Sequence, residues 1–380
     1  MVNVTISDLQ TPCLLLDERR MMRNVARLKS RLRSLGVPLR PHLKTAKSID
    51  VARRLMESAT GPVTVSTLKE AEQFAAEGVT DILYAVGIAP AKLDRVAHLR
   101  AKGVDLSIVI DSCEQADAVA DKSHATGDAI PVLIEIDSDG HRSGVRPGDA
   151  LLVEIGRRLH KRGAALRGIM THAGDSYNCK DVTAIARMAE QERAAAVACA
   201  EQLGAAGLPC PVVSVGSTPT AHFATDLSGI TEVRAGVFVF FDLVMAGLNV
   251  CTLDDIALSV LTSVIGHQRK KGWILVDAGW MAMSRDRGTA KQVVDQGYGV
   301  VCDRAGHPFG DLIMSETNQE HGVLAMRKGA TALLPDLAVG DLVRIFPNHA
   351  CATGAQHDRY HVIQDGEGPV TATWPRFSGW

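Results

Sequence analysis

The sequence predicts a (β/α)8 barrel of the TIM type followed by a mainly antiparallel β domain. In the first part of the chain, apolar strand-like runs alternate with helix-like stretches rich in Ala, Glu, Arg and Leu. Eight such units follow one another, which is the number that a closed barrel needs. After Asp242 the long helical stretches end, and turn residues separate short segments that contain Val or Ile. We therefore expect a barrel domain at 1–245 and a β domain at 246–380.

The elements of the barrel domain follow from their apolar patterns. Residues 13–17 are typical of an apolar strand, and 18–35 carry apolar residues at helical spacing until Gly36. We expect roughly the first 12 residues to pair with the β domain. The predicted barrel strands are 38–43, 62–66, 81–86, 105–110, 131–136, 167–171, 211–215 and 231–234. The clearest helices between them are 67–77, 112–126 and 181–206.

A doubly wound open sheet is the alternative to the barrel. It would accommodate six or seven of the units, and it usually has a Gly-rich turn after its first strand. Here that turn contains Lys44 instead, which favours the barrel. In the β domain, the predicted strands are 257–266, 273–277, 298–302, 322–326, 341–346, 359–364 and 369–374.

Composition excludes several classes of protein. A formal charge of −2 and a pI near 6.7 do not favour nucleic acid or an anionic membrane as a partner. No apolar run approaches the ~20 residues that a membrane helix requires, and residues 1–10 lack the features of an export signal. The eight cysteines are scattered without a Cys-x-x-Cys pair, which is typical of reduced thiols. We therefore expect a cytoplasmic protein.

Lys44 is the first candidate for chemistry, because it ends the first predicted barrel strand. Active sites of such barrels form at the carboxyl ends of the strands. A free lysine amine titrates near ~10.4, so shielding or a nearby cation must lower its pKa before it can form a Schiff base. The alternative is a basic surface patch, since Arg40 and Lys47 are close in sequence.

Two loops favour a phosphate-bearing carbonyl cofactor bound to this lysine. Barrels often bind phosphate with the loops after strands seven and eight. Gly216, Ser217 and Thr218 follow strand seven, and Gly236 follows strand eight. Glycines allow close approach of backbone N–H groups, and the two hydroxyls add donors. Pyridoxal 5'-phosphate is the natural candidate. Ordinary turn residues are the alternative for either loop taken alone.

His349 and Cys351 form a second candidate site directly after the predicted strand 341–346. In an extended chain, residues two apart can point the same way, and imidazole and thiolate are ligands that suit zinc. Two protein ligands leave coordination positions for water and substrate, which is typical of a catalytic metal site. We expect Zn²⁺, with Mn²⁺, Co²⁺ or Ni²⁺ as alternatives. A surface histidine beside a buried cysteine is the non-functional alternative.

Together these motifs resemble a known family of enzymes. The chain resembles the D-threonine aldolase/D-serine dehydratase group of fold-type III pyridoxal-phosphate enzymes over nearly its whole length. That group has an alanine-racemase-like barrel followed by a β domain. The ordered set is specific, although each motif alone is not. The motifs are Arg40-Pro41-His42-Leu43-Lys44-Thr45, Thr171-His172-Ala173-Gly174, Gly216-Ser217-Thr218-Pro219-Thr220, Asp277-Ala278-Gly279 and His349-Ala350-Cys351.

The resemblance implies a role for each matching residue. Lys44 would be the Schiff-base lysine and the base that removes the Cα proton. Arg142 would meet the phenolic oxygen of the cofactor, Tyr177 would lie near its pyridine ring, and His172 would also bind the cofactor. The phosphate would be held by Gly216, Ser217, Thr218 and Gly236. The metal would be held by His349 and Cys351. A homodimer is also expected.

The reaction that the resemblance implies is β-elimination from a D-3-hydroxy amino acid, giving a 2-oxo acid and ammonia. The aldolases of the group tend to carry Asp where this chain has Cys351, which favours a dehydratase. The alternatives are retro-aldol cleavage to glycine and an aldehyde, and a non-catalytic cofactor carrier, which would resemble the barrel alone. Racemisation is a further alternative, and it would need a tyrosine on the opposite face of the cofactor, for which Tyr298 and Tyr360 are available.

Residues after the metal pair are candidates for binding the substrate. If the substrate has a second carboxylate, it needs a cation near the metal. His357 and Arg359 are the nearest cationic side chains in sequence, and solvated loop residues are the alternative.

Overall fold

The computed structural model describes residues 4–380, and they form two compact units. One unit contains the described residues up to Ala26 together with Val237–Phe377, and the other contains Arg27–Gly236 with Ser378–Trp380. The first described residues therefore belong to the same unit as most of the last third of the chain. The domain boundary at residue 245 stays a prediction.

The secondary structure follows the chain as strands β1–β17 and helices α1–α11. The strands are β1 (Cys13–Asp17), β2 (Leu39–Pro41), β3 (Val63–Val65), β4 (Asp81–Gly87), β5 (Asp105–Ile110), β6 (Pro131–Ile136), β7 (Ala165–Thr171), β8 (Val212–Val215), β9 (Glu232–Ala235), β10 (Leu258–Gln268), β11 (Trp273–Val276), β12 (Gly299–Cys302), β13 (Pro308–Thr317), β14 (Gly322–Met326), β15 (Leu342–Pro347), β16 (Arg359–Ile363) and β17 (Val370–Pro375). The helices are α1 (Glu18–Ser34), α2 (Ile49–Leu55), α3 (Leu68–Ala76), α4 (Leu93–Ala101), α5 (Cys113–Thr126), α6 (Leu151–Lys161), α7 (Val182–Ala205), α8 (Thr218–Phe223), α9 (Leu243–Gly247), α10 (Trp280–Met283) and α11 (Ala350–Gly354).

Strands β2–β9 form the predicted parallel barrel. Each strand pairs with the next in the order β2-β9-β8-β7-β6-β5-β4-β3, and a parallel bridge between His42 and Thr64 joins the two ends. Leu83, Val109 and Leu133 pack together from neighbouring strands and are at most 2% exposed. Burying one such side chain contributes roughly 1.5–3 kcal/mol. Closure places the carboxyl ends of all eight strands on one rim, where the candidate residues follow the strands.

The other unit is built on a nine-stranded, mainly antiparallel sheet. Its order is β11-β14-β13-β12-β15-β10-β1-β16-β17, and β11 also pairs with β10. The strands from β10 to β15 therefore close on themselves as a six-stranded barrel, and β1, β16 and β17 extend the sheet from β10. The β1–β16 pair is parallel. Ile6, Cys13, Leu15, Leu261 and Ile363 form one of its apolar clusters.

The structure confirms the predicted fold class and changes two details. β13 was not predicted, because Gly310 and Asp311 interrupt its apolar pattern and its buried positions are mainly Leu312–Met314. β1 was correctly predicted as a strand, and it pairs with β10 and β16 in the β unit. Of the first 12 residues, Val4 accepts a backbone hydrogen bond from Val370 in β17, while 1–3 lie outside the described residues. From residue 4 onward, no helix is long and apolar enough to cross a membrane.

Candidate active site

Lys44 lies in the turn directly after β2, at the carboxyl end of the strand. Two backbone hydrogen bonds fix the start of this turn: His42 N–H donates to Ala235 at the end of β9, and Leu43 N–H donates to Thr64 in β3. The Lys44 side chain itself is exposed. We expected shielding around this amine, and the described residues do not enclose it. Its position at the rim agrees with a role in chemistry, and that role stays a prediction.

Two neutral imidazoles lie near Lys44. Burial lowers the pKa of His42 and of His172, and the positive charges of Lys44 and Arg234 lower both further, so that the pKa of His172 falls to about 3. The Nδ1 atom of His172 lies 2.9 Å from the carbonyl oxygen of Gly216. Because a carbonyl oxygen only accepts, Nδ1 carries the proton and Nε2 is left as an acceptor.

Gly216 is required by the close packing of β8 against β9. Its φ is +135°, and a Cβ atom here would lie 2.1 Å from the carbonyl oxygen of Arg234. The Gly216 N–H donates to the carboxylate of Glu192 at 2.9 Å. This N–H group therefore already has an acceptor. Gly216 provides close backbone approach, and its predicted contact with phosphate stays a prediction.

Ser217 and Thr218 open helix α8 on the same rim. Ser217 caps the helix: its Oγ accepts a hydrogen bond from Thr220 N–H at 3.2 Å. The same Oγ lies 2.9 Å from the hydroxyl of Ser176, in the loop after β7. Thr218 is the first helical residue and is buried. The loops after β7 and β8 are thus joined side by side.

The remaining cofactor candidates occupy neighbouring positions on the rim. Gly236 follows β9, and a Cβ atom there would lie 3.0 Å from the carbonyl oxygen of His42. The ring of Tyr177 lies 6.4 Å from that of His172, measured between centroids. Arg142 is exposed in the loop after β6, and its guanidinium lies 3.3 Å from the buried carboxylate of Glu135.

These residues fit pyridoxal phosphate on the rim of the barrel. Gly216 and Gly236 occupy positions where a Cβ atom would lie too close to the backbone. Lys44 lies beside two neutral imidazoles, and the hydroxyls of Ser217 and Thr218 lie at the start of a helix. Glu192 was missed by the sequence analysis. It is buried on α7 in a polar run, and only the fold shows that its carboxylate reaches the loops after β7 and β8.

In the β unit, His349 and Cys351 lie at the start of α11. His349 is the residue before the helix, and Cys351 is its second residue. The Nδ1 atom of His349 lies 2.7 Å from a carboxylate oxygen of Asp286. Burial alone would lower the pKa of His349. Hydrogen bonds to Asp286 and Cys351, together with the electrostatic influence of Cys351 and Asp242, instead raise this pKa above its usual range.

This arrangement fits a metal ligand pair with an orienting carboxylate. A histidine that binds a metal commonly donates its other ring N–H to a carboxylate, which fixes the tautomer. Asp286 takes the Nδ1 side of His349 and leaves Nε2 for a metal. The carboxylate of Asp242 is buried and accepts hydrogen bonds from the N–H groups of Ala350 and Met245. Among residues 4–380, the structure contains no group of three or more His, Cys, Asp or Glu side chains that could hold a metal ion.

His357 and Arg359, the predicted substrate residues, both have protein partners. The Nε2 atom of His357 lies 3.0 Å from the carbonyl oxygen of Ala282. Arg359 is exposed, and its guanidinium donates twice to the neighbouring Asp358, at 2.7 and 2.8 Å. A role for either residue in binding substrate stays a prediction.

Comparison with known proteins defines the class of this fold and site. A model of the alanine racemase N-terminal domain matches residues 16–244, and a model of the putative serine dehydratase domain matches residues 257–363. The chain belongs to the D-threonine aldolase/D-serine dehydratase family, whose members have an alanine-racemase-like barrel. Membership implies an enzyme of the dehydratase type with pyridoxal phosphate as cofactor.

The individual relatives are similar over nearly their full length. The chain is 53% identical to D-threo-3-hydroxyaspartate dehydratase of Delftia sp. (strain HT23), over 99% of both chains. The solved structure of that dehydratase superposes with a TM-score of 0.95 at 52% identity, covering 99% of this chain and 100% of that one. D-serine dehydratase of Dictyostelium discoideum is 30% identical, over 96% of this chain and 95% of its own. These relatives confirm the family resemblance that the motifs predicted, and D-threo-3-hydroxyaspartate dehydratase, the member that the motifs favour, is among them.

Proposed function

We propose that this protein converts a D-3-hydroxy amino acid, D-threo-3-hydroxyaspartate or D-serine, to the 2-oxo acid and ammonia. The β-hydroxyl leaves as water, and a water molecule then hydrolyses the resulting enamine, so that ammonia is the net loss. The observation that carries the proposal is the 53% identity, over 99% of both chains, to D-threo-3-hydroxyaspartate dehydratase. D-Serine comes second, because the relatives named for it are 30% identical or less.

The barrel residues would bind the cofactor and move the proton. Lys44 would hold the aldehyde carbon of pyridoxal phosphate, Ser217, Thr218 and Gly236 would hold its phosphate, and Arg142, His172 and Tyr177 would face its ring. When bound, this cofactor supplies an electron sink for negative charge at Cα. The Nζ atom of Lys44 would take the Cα proton of the substrate. The neutral His172 adds no positive charge beside that amine, because the pKa of His172 is about 3.

His349 and Cys351 would hold a divalent metal, with zinc as the first candidate. Such a metal supplies a Lewis acid for the departing β-hydroxyl, which is otherwise a poor leaving group. Two facts support this part of the proposal: Asp286 takes the Nδ1 side of His349, and one relative is described as a cysteine-to-alanine mutant in the metal-free form. A homodimer and a cytoplasmic location belong to the proposal as well.

One assay tests the function against its main alternative. Purified protein is incubated with D- and L-forms of 3-hydroxyaspartate, serine and threonine, and the products are identified. We expect a 2-oxo acid and ammonia from the D-isomers only. Glycine and an aldehyde would indicate retro-aldol cleavage, which has support in the 30% identity to 3-hydroxy-D-aspartate aldolase of Paracoccus denitrificans. Interconversion of D- and L-isomers without ammonia would indicate a racemase.

Asp286 provides a test of the metal site that does not depend on turnover. We expect Asp286→Ala to weaken zinc binding by about 10–100-fold, because the His349 ring loses the carboxylate that orients it. Zinc affinity of the full-length chain is measured by competition with a chromogenic chelator. Asp336→Ala, at an exposed position, is the matched control. Unchanged affinity in Asp286→Ala would remove this carboxylate from the metal site.

The choice between substrates tests Arg359. If its guanidinium binds the second carboxylate of 3-hydroxyaspartate, Arg359→Ala should lower kcat/KM for that substrate about 10–100-fold more than for D-serine, which has no such group. Arg359 is a cleaner target than His357, since its guanidinium pairs with the exposed Asp358, whereas the ring of His357 contacts the backbone of Ala282. Equal losses for the two substrates would mean that Arg359 supports the site in general, and His357→Ala would then be compared in the same way.

A further inference from the structure

A buried carboxylate on α7 joins the two loops that carry most of the cofactor candidates. Glu192 is 2% exposed. Its Oε1 accepts from Ala173 N–H at 3.0 Å and from Gly216 N–H at 2.9 Å, and its Oε2 accepts from the hydroxyl of Thr220 at 2.9 Å. One side chain therefore satisfies donors from the loop after β7, the loop after β8 and the first turn of α8.

The cost of burying this carboxylate argues against a role in packing alone. An ionised carboxylate without partners is strongly disfavoured in a protein interior, and an apolar side chain could fill the same volume. Burial raises the pKa of Glu192, while its three hydrogen bonds and the positive charge of the nearby Arg234 oppose that shift. Arg234 is itself buried, and it donates to Ser214 and to the carbonyl of Thr171 in β7.

The three donors to Glu192 are close in sequence to the residues predicted to bind the cofactor. Gly216 and Thr220 stand on either side of Ser217 and Thr218, and Ala173 follows His172. The hydroxyl of Ser176 ties the same loops together, since it donates to Ala173 and lies 2.9 Å from the Ser217 hydroxyl. A displacement of the Glu192 carboxylate would therefore move Ser217 and Thr218 relative to β7.

We infer that Glu192 is a positioning residue for the cofactor phosphate, holding Ser217 and Thr218 where they contact it. The inference rests on the proposed function, in which pyridoxal phosphate binds this rim. It assigns Glu192 no contact with the cofactor and no part in proton transfer. Its consequence is specific: the contribution of Glu192 to cofactor affinity should depend on the phosphate group.

The test compares pyridoxal phosphate with pyridoxal, which lacks the phosphate. Dissociation constants for both are measured on the full-length, cofactor-depleted chain for the wild type, Glu192→Gln and Glu192→Ala. Glutamine keeps the shape, but its amide nitrogen cannot accept from Thr220 and its charge is lost. We expect Glu192→Gln to weaken pyridoxal phosphate by about 10–100-fold, the range for hydrogen bonds to a charged group, and pyridoxal by less than about threefold. Glu192→Ala should have the larger effect.

The matched control is Glu190→Gln, at an exposed position on α7 where the carboxylate pairs with Arg193. It should leave both affinities unchanged. Equal weakening of both ligands in Glu192→Gln, or no weakening, would overturn the inference and leave the proposed function standing. A wild-type chain that binds neither ligand would overturn the proposed function together with the inference. If Glu192→Ala does not fold, the inference is tested by the affinities of Glu192→Gln for pyridoxal phosphate and pyridoxal relative to those of the wild type.

Discussion

Lys44→Ala should abolish turnover and leave the fold intact. We expect kcat/KM for D-threo-3-hydroxyaspartate to fall by at least about 10³-fold, because one amine holds the cofactor and also removes the Cα proton. The side chain is exposed and lies outside the apolar core, so the free energy of unfolding should change by less than about 0.5 kcal/mol. Activity and thermal unfolding are measured on the same preparation, with Lys102→Ala, at an exposed position after α4, as the control.

Covalent labelling gives an independent test of the same residue. The wild-type protein should be yellow as purified, and borohydride should fix the cofactor to Lys44 in tryptic peptides. Lys47 is the informative alternative, since it lies three residues further on and pairs with the buried Glu70 at 3.1 Å. Label on Lys47, or on any lysine other than Lys44, would contradict the assignment.

The barrel could be predicted because its strands carry a simple signal. Strands that are buried on both faces appear as continuous apolar runs, and β5 and β6 match the predicted ranges 105–110 and 131–136. The same signal cannot say which sheet a strand joins. β1 is fully buried, and only its pairing with β10 and β16 places it in the β unit. β13 was missed because polar residues interrupt it.

Residues of the candidate site could be predicted when they directly follow a strand. They could not be predicted when they act only through hydrogen bonds to other residues of the site. Lys44, His172 and Gly216 stand at the ends of β2, β7 and β8, so the barrel topology alone brings them to one rim. Glu192 and Asp286 do not lie at the end of a barrel strand, so the strand pattern does not identify them. Each is one acidic residue in a polar stretch, and its importance arises from tertiary hydrogen bonds to Gly216 and to His349. Sequence spacing does not encode those contacts.

Removal of the metal should stop elimination and leave the cofactor bound. We expect chelation, or Cys351→Ala, to lower kcat/KM by about 10²–10³-fold, which corresponds to the several kcal/mol that a Lewis acid contributes to charge stabilisation in a transition state. The yellow colour should persist, because Lys44 and the phosphate loops contain no metal ligand in this proposal. Cys113→Ala, at a partly buried cysteine on α5, is the control for loss of a thiol.

Thermal unfolding separates a catalytic metal from a structural one. If His349 and Cys351 hold a catalytic metal, chelation should leave the melting temperature nearly unchanged, because two protein ligands at the start of a short helix add little to folding. A structural metal would behave differently, since its binding free energy is part of the folding free energy, and chelation would lower the melting temperature sharply. Zinc added back to the chelated wild type should restore activity, while Cys351→Ala should need far more zinc. Full activity in chelated protein would remove the metal from the mechanism.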